Sequence, residues 1–277
     1  MGADLHVHSN FSDGSLTPQE LVLAADQKGL SAIAITDHDT VAGIDYALEA
    51  AAGLDLEVIP GVEFSAYTNT SEEVHILGYF IDYRNSDLKD KLKEIYRVRK
   101  QRAWKMIELL QEQGIDLDFE DIKNSKNNCY IGRPHIARAL LEKGYISQFS
   151  EAFTDKYIGN GSRAYISKFK MNPATGIEMV LSVGGIPVLA HPGHSKNEQP
   201  LQKEYIAGLK EKGLSGIEVF HSRHSYKQEQ YYKKCADELG LLLTGGSDFH
   251  GENSPQVKLG DVVLPDQYFQ KLKAAVK

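Results

Sequence analysis

Short, almost wholly apolar segments recur along this chain, and each brings a histidine or carboxylate with it. Asp4–Val7 contains His6 and runs into His8. Ser31–Thr36, with Ala32, Ile33, Ala34 and Ile35, runs into Asp37 and His38. Leu56–Pro60 precedes Glu63, Val74–Phe80 carries His75, and Ile186–Ala190 is followed by His191. Gly216–Phe220 ends at His221, and Leu241–Thr244 leads through two glycines to Asp248 and His250. Strands apolar along their whole length are buried on both faces, as in a parallel sheet covered by helices. The C-terminal ends of such strands gather at one rim when the sheet closes into a barrel, so the polar groups are expected together there.

The segments between have helical character. Thr17, Pro18 and Glu20 open a helix with a capping box, Leu21, Ala24 and Ala25 supply its apolar stripe, and Lys28-Gly29 ends it. Further helices are predicted over Val41–Gly53, Pro173–Val183, Leu201–Glu211 and Tyr226–Glu238. Gly61 to Glu73 is too short for a crossover helix, so simple alternation is expected to lapse there. The middle of the chain differs: Leu88–Gln113 is long and charged, with a broken stripe of Leu92, Ile95, Trp104, Ile107, Leu109 and Leu110. Shorter helices are expected near Asp118–Lys123 and Pro134–Lys143. The predicted fold is therefore α/β: a distorted seven-stranded (β/α) barrel with a mostly helical insertion, a doubly wound sheet being the alternative. Residues 1–83 and 171–277 would form the barrel domain and residues 84–170 an inserted subdomain covering the substrate. The length of 277 residues suits one such barrel.

With 31 Lys+Arg against 38 Asp+Glu, the net charge of −7 argues against a general nucleic-acid-binding surface. It leaves room for a nucleic-acid end entering a locally positive pocket. The N-terminus MGADLHVHSNFSDG has no basic flank and apolar core of a secretory signal, and no apolar run spans a bilayer. Cys129 and Cys235 have neither metal-type spacing nor a disulfide framework. A cytoplasmic protein with no membrane association and no obligate protein partner is expected.

One histidine after one strand is commonly a satisfied core residue, but the same placement after strand upon strand would require that explanation each time. His6 and His8, two apart, face the same way. Asp13, in the tight Asn10–Gly14 loop leaving their strand, joins them. Asp37 and Asp39 flank His38, where either could orient a ligand or accept a backbone amide. The mixed nitrogen and oxygen set without thiolate suits Zn²⁺, Mn²⁺ or Fe²⁺ and fits an all-oxygen Mg²⁺ or Ca²⁺ site badly. It also exceeds what one ion needs, so two or three divalent ions are expected. Arg133, just before a predicted helix start, has the placement of a phosphate clamp, or of a surface ion pair.

The linked motifs ADLHVHSNFSDG, AITDHDT, GVEFS, VHILGY, LAHPGH and GSDFH resemble the PHP (polymerase and histidinol phosphatase) family of metal-dependent phosphoesterases, over nearly the whole chain. The resemblance is nearest to its small nucleotide and 3′,5′-nucleoside bisphosphate phosphatases. It implies a first metal held by His6, His8, Glu63 and Asp248, a second by Asp13, His38 and His250, and a third by Glu63, His75 and His191. Asp13 stands where other branches have histidine. The resemblance places Arg133 and His194 on the substrate phosphate and assigns catalysis to Asp13, Glu63, Arg133 and His194. From their loop, His221, Arg223 and His224 are weaker candidates for substrate contact, and His135 is expected to face the start of its own helix.

The expected reaction is hydrolysis of a nucleotide phosphate monoester, a 3′,5′-nucleoside bisphosphate or mononucleotide, by metal-activated water. About six positive charges on three ions against three carboxylates would draw an anion into an otherwise acidic protein. That favours a phosphate ester over the neutral amide of a metal-dependent amidohydrolase. The alternatives are 5′→3′ trimming of short single-stranded RNA or DNA, histidinol-phosphate hydrolysis, and a non-catalytic metal-binding interaction domain.

Overall fold

A computed structural model describes residues 2–68, 73–122, 130–167, 171–194 and 200–276. Seven strands form one sheet in chain order: β1 (Ala3–Val7), β2 (Ala32–Ile35), β3 (Glu57–Tyr67), β4 (Glu73–Tyr79), β5 (Ile186–Leu189), β6 (Gly216–His221) and β7 (Leu242–Gly246). All neighbours are parallel except at β4, which is antiparallel to both β3 and β5. The sheet curls into a nearly closed barrel: Val7 bridges Phe249, and the Asp248 amide donates to the His6 carbonyl at 2.9 Å.

Around the strands lie α1 (Pro18–Gln27), α2 (Ile44–Ala50), α6 (Pro173–Ser182), α7 (Lys203–Lys210), α8 (Tyr226–Leu239) and α9 (Asp266–Ala274). The reciprocal Thr17–Glu20 cap expected for α1 is formed. Strand alternation sorts two apolar layers. Ile33 and Ile35 pack with Leu21, Val22, Ala25 and Ala47 of α1 and α2, whereas Ala32 and Ala34 pack with Ile59, Leu77, Tyr79 and Val188. Phe269 and Leu272 of α9 join the second group. Among the described residues no helix is long and apolar enough to cross a membrane. Cys235 is a buried free thiol, and Cys129 lies outside the described residues.

Two features depart from the sequence expectation. β3 does not stop at Pro60 but continues to Tyr67, so Glu63 lies within the strand rather than after it. β4 is reversed because its short connection to β3 cannot carry a crossover. Its beginning, with His75, therefore lies at the rim where the other strands end, and His75 pairs with Ser65 of β3. Between β4 and β5 come α3 (Ser86–Gln111), α4 (Phe119–Ile122), α5 (Arg133–Glu142) and a 3₁₀ turn at Phe149–Phe153. From Ala103 to Ala164 this segment has a core of its own, including Met106, Leu110, Ile136, Leu140 and Ile158.

One buried carboxylate fastens the seam between β1 and β7. Asp4 accepts the Ser247 amide (2.8 Å), the Ser247 hydroxyl (2.6 Å) and the Gly260 amide (2.8 Å). Gly246 matches this close approach, since a Cβ there would lie 2.4 Å from the His6 nitrogen. Replacing Asp4 by Ala strands these donors where water cannot reach them. Urea denaturation should show a loss of about 3 kcal/mol of stability. A change within about 0.5 kcal/mol would mean that the seam does not depend on Asp4.

Candidate metal centre

Glu63 points from the middle of β3 into the polar end of the barrel and is 1% exposed. Five imidazoles surround it. Its Oε1 lies 2.8 Å from His75 Nδ1, 3.1 Å from His191 Nε2 and 3.4 Å from His6 Nε2. Its Oε2 lies 3.0 Å from His38 Nδ1 and 3.2 Å from His8 Nε2. Asp248 Oδ1 is 3.4 Å from the Nε2 atoms of both His6 and His8. Asp13 approaches His250 Nε2 at 3.3 Å and His38 Nε2 at 3.8 Å. All nine sequence-derived ligand candidates thus meet in one cluster. Its groupings are His6–His8–Asp248, His8–Asp13–His38–His250, His6–Glu63–His191 and His38–Glu63–His75. Unlike the expected partition, His8 also sits with the Asp13 group.

The local backbone is built to hold these side chains. Among the described residues, four non-glycines have positive φ, and three belong here: Asp39 (49°), His191 (24°) and Asp248 (59°). Such a conformation costs roughly 1–3 kcal/mol and persists only where the surroundings impose it. Each is pinned by its own amide: Asp39 to the Glu63 carbonyl (3.0 Å), His191 to Glu218 Oε2 (2.8 Å), and Asp248 to the His6 carbonyl (2.9 Å). The Asn10–Gly14 loop folds so closely that a Cβ on Gly14 would lie 2.1 Å from the His8 carbonyl oxygen.

Three carboxylates outside the expected set secure this frame. Glu218 Oε1 engages His6 Nδ1 at 3.0 Å, which turns His6 Nε2 toward Glu63 and Asp248. Asp37 accepts the Ser9 amide and the Ser9 and Ser12 hydroxyls at 2.6–2.7 Å, and Asp39 accepts the Ser65 amide and pairs with Arg99. Asp37 and Asp39 therefore hold loops rather than orient a histidine.

In the ion-free protein the cluster is strongly polarised. Burial alone would raise the Glu63, Asp13 and Asp248 carboxyl pKa values, but the surrounding imidazoles hold all three well below the usual carboxylate range. Burial lowers the His8 pKa, yet Asp248 and Glu63 outweigh it and push it up to about 10. Glu63 likewise takes His75 to about 9. Among the described residues His6 Nε2, His8 Nε2, His38 Nδ1, His75 Nε2, His221 Nε2, Asp13 Oδ1 and Glu63 Oε2 are buried without a hydrogen-bond partner. Buried polar atoms ordinarily find one. Ligand atoms around a tetrahedral ion with bonds of about 2.1 Å lie about 3.4 Å apart, which is the spacing seen here. The donor set fits divalent transition-metal ions.

A cavity of about 380 Å³ opens over the cluster. Asp13, His38, His75 and His191 form one wall, and Arg133, His194, Arg223, Arg99, Tyr130 and Phe153 contribute to the rest. Arg133 begins α5 and donates to the Ile158 carbonyl (3.2 Å) and Asn160 Oδ1 (2.9 Å). Arg223 donates to His194 Nε2 at 2.6 Å, and burial followed by Arg223 keeps His194 neutral, with its pKa lowered to about 4. His135 faces its own helix start, its Nδ1 accepting the Gly132 amide at 3.3 Å.

Two of the expected substrate contacts do not line this cavity. His224 has both ring nitrogens committed to backbone: Nδ1 donates to the Val219 carbonyl (2.8 Å), and Nε2 accepts the Gly193 amide (3.0 Å). His221 is 2% exposed and lies beneath the cavity, grouped with His6 and Glu218. The sequence reading missed Glu218, Arg99, Arg102 and Tyr130.

The PHP domain signature matches residues 4–152 of this chain. The chain is 34% identical over 268 residues to a 5′-3′ exoribonuclease of Haemophilus influenzae, covering 95% of this chain and 96% of that one. It is also 34% identical over 248 residues to a 3′,5′-nucleoside bisphosphate phosphatase of Chromobacterium violaceum, covering 89% and 86%. A solved structure from Bifidobacterium adolescentis, assigned as a metal-dependent phosphoesterase, superposes with a TM-score of 0.88 at 32% identity, covering 99% of this chain and 96% of that one.

Because His6, His8 and His75 hold protons at neutral pH in the ion-free site, a cation must displace them. Titrating chelator-stripped protein with Mn²⁺ or Zn²⁺ in buffers of different ionisation enthalpy should reveal release of about three protons. Affinity should fall as the pH is lowered. Binding without proton release would contradict this electrostatic description.

Proposed function

This chain belongs to the PHP-domain family of metal-dependent phosphoesterases, and we propose that it removes phosphate from a nucleotide, either a 3′,5′-nucleoside bisphosphate or a mononucleotide. One observation carries the reading: a single cavity is lined both by members of the imidazole–carboxylate cluster and by Arg99, Arg133 and Arg223, with Tyr130 and Phe153. Guanidinium groups suit phosphate oxygens, and aromatic faces suit a base. The similarity to a bisphosphate phosphatase and an exoribonuclease supports a nucleotide over other phosphate esters.

We take the metals to be two or three Mn²⁺, Zn²⁺ or Fe²⁺ ions held by His6, His8, Asp13, His38, Glu63, His75, His191, Asp248 and His250. Such ions, when bound, make water a competent nucleophile at neutral pH and polarise the phosphoryl group. The protein supplies the rest. Glu218 fixes the His6 ring, so a ligand nitrogen need not reorganise. Arg133 neutralises non-bridging phosphate oxygens as charge moves toward the leaving alcohol. His194, whose Nε2 accepts from Arg223, keeps Nδ1–H as a second donor at the cavity edge. Water adds to phosphorus, the phosphorus–oxygen ester bond breaks, and the alcohol oxygen takes a proton. Residues 84–170 act as an inserted subdomain covering the substrate, through Tyr130, Arg133 and Phe153. A cytoplasmic setting completes this reading.

Stepwise trimming of a short single-stranded RNA or DNA from its 5′ end is the second reading. The observation favouring it is another cavity of about 430 Å³, bordered by Asn10, Ser15, His135, Arg138 and Asn253. It meets the first across Asp13 and Pro134, which line both.

A panel of nucleoside monophosphates, 3′,5′-bisphosphates, 5′-phosphorylated oligonucleotides and histidinol phosphate separates these readings when phosphate and nucleotide products are followed separately. Fast phosphate release from a bisphosphate or mononucleotide is expected. Turnover confined to histidinol phosphate or another non-nucleotide ester would end the nucleotide reading. Glu63→Gln should lower kcat by about 10³-fold or more, since the residue touches both sides of the cluster. Arg133→Ala should lower kcat/KM by about 10–100-fold through loss of a charged hydrogen bond to the phosphate. Unchanged steady-state kinetics in both variants would remove these assignments.

A further inference from the structure

The apolar stripe of α3 runs through Leu88, Leu92 and Ile95 and resumes at Met106 and Leu110. The stripe positions between them are taken by Arg99 and Arg102. Leu88, Leu92 and Ile95 pack against Val62, Phe64 and Ile76 of the barrel, whereas Met106 and Leu110 belong to the core of the inserted segment. The two arginines thus occupy the junction between two cores, beside the metal centre.

Arg102 is 8% exposed. Its Nε donates to the Ile166 carbonyl at 2.8 Å, its Nη2 is buried without a partner, and among the described residues no carboxylate forms an ion pair with it. Arg99 pairs with Asp39 and lies 4.7 Å over the Tyr130 ring, but its Nε is also buried and unpartnered. Burial lowers the Arg102 pKa, and the nearby charges of Arg133 and Arg99 lower it further. Glu73, on the cavity wall, lies 3.5 Å from His75. A small void of about 20 Å³ borders Asp39, Ser65, Tyr67, Arg99 and Arg102; Asp39 is engaged by Arg99, and Ser65 and Arg99 also line the main cavity. One water in that void could take the Nη2 hydrogen bond, but it would not balance the charge. A buried cation without a counter-charge is costly, and its retention at a site edge points to an anion arriving from outside.

We propose that Arg102, together with Arg99, receives a second phosphate of the substrate, one that is not hydrolysed, while the scissile phosphate occupies the metal centre. This rests on the nucleotide reading above. The ligand chemistry is a terminal phosphate on the same nucleotide as the reacting bond. It has two sources: the second phosphate of a nucleoside bisphosphate, or the 5′-phosphate of an oligonucleotide. The fork of donors on each guanidinium matches such a group, and recognition here would favour doubly phosphorylated substrates.

The test compares wild type with Arg102→Met, which keeps a long side chain without charge, and with Arg102→Lys. Substrates are a nucleoside 3′,5′-bisphosphate, its 3′- and 5′-monophosphates, a dinucleotide with and without a 5′-phosphate, and an aryl phosphate. Melting of the ion-free proteins reports folding, and Arg102→Met should melt no lower than wild type because the uncompensated charge is gone. For Arg102→Met, KM for the doubly phosphorylated substrate should rise about 30-fold with kcat nearly unchanged. Arg102→Lys should recover part of that loss, and the monophosphates should change less than about threefold. Loss of the wild-type preference for the 5′-phosphorylated dinucleotide would identify the oligonucleotide source, and loss confined to the bisphosphate the mononucleotide source. Equal damage to mono- and doubly phosphorylated substrates, or an unchanged KM for the latter, overturns the proposal alone. A wild type that hydrolyses the aryl phosphate but no nucleotide overturns the nucleotide reading and this inference with it.

Discussion

A carboxylate sealed inside a protein must be neutralised, and five imidazoles within 2.8–3.4 Å of Glu63 set the terms on which this barrel can exist. Without an ion His6, His8 and His75 hold protons, and ring nitrogens of His6, His8, His38 and His75 are still unpartnered. Divalent cations bound there would take the same atoms as ligands and so meet the outstanding hydrogen-bonding demand. The reversed β4, the extension of β3 beyond Pro60 and the left-handed turns at His191 and Asp248 all serve to bring these groups to one place.

Rigidity around this point has a visible source. Asp4 closes the barrel seam, Asp37 gathers the loop after β1, and Glu218 joins β6 to both His6 of β1 and His191 after β5. Each strained or buried group is tied to a different strand, so the site and the closure of the sheet are one construction. The segment with its own core contributes Tyr130, Arg133 and Phe153 to the lining of the cavity. The cavity therefore combines candidate ion ligands with guanidinium groups. A phosphate ester needs both.

Much of this was legible because apolar strands and the polar residues at their ends follow simple periodicities. Seven strands and the helical insertion could be placed from periodicity, the strand-end candidates from their position, Asp13 from its tight loop, and Thr17–Glu20 capping from local chemistry. The extension of β3 was less visible, because Pro60-Gly61 reads as a stop although the chain pairs straight through it. Glu218 was hidden by a register irregularity in β6, which makes a strand-interior glutamate look like an ordinary alternating position. Arg99 and Arg102 left a sequence trace, since they fall on the Leu88–Leu92–Ile95 stripe, but arginine on a charged helix normally reads as solvated. His224 shows the opposite case: its neighbourhood suggests a substrate contact, while both its ring nitrogens bond backbone.

Anomalous X-ray scattering from crystals of the active enzyme tests the central claim most directly. The account predicts peaks for at least two divalent ions within about 2.3 Å of the clustered histidine nitrogens, with Glu63 bridging neighbouring ions. Active crystals with no anomalous density between Glu63, Asp248 and Asp13, or with ions bound only elsewhere on the molecule, would contradict it.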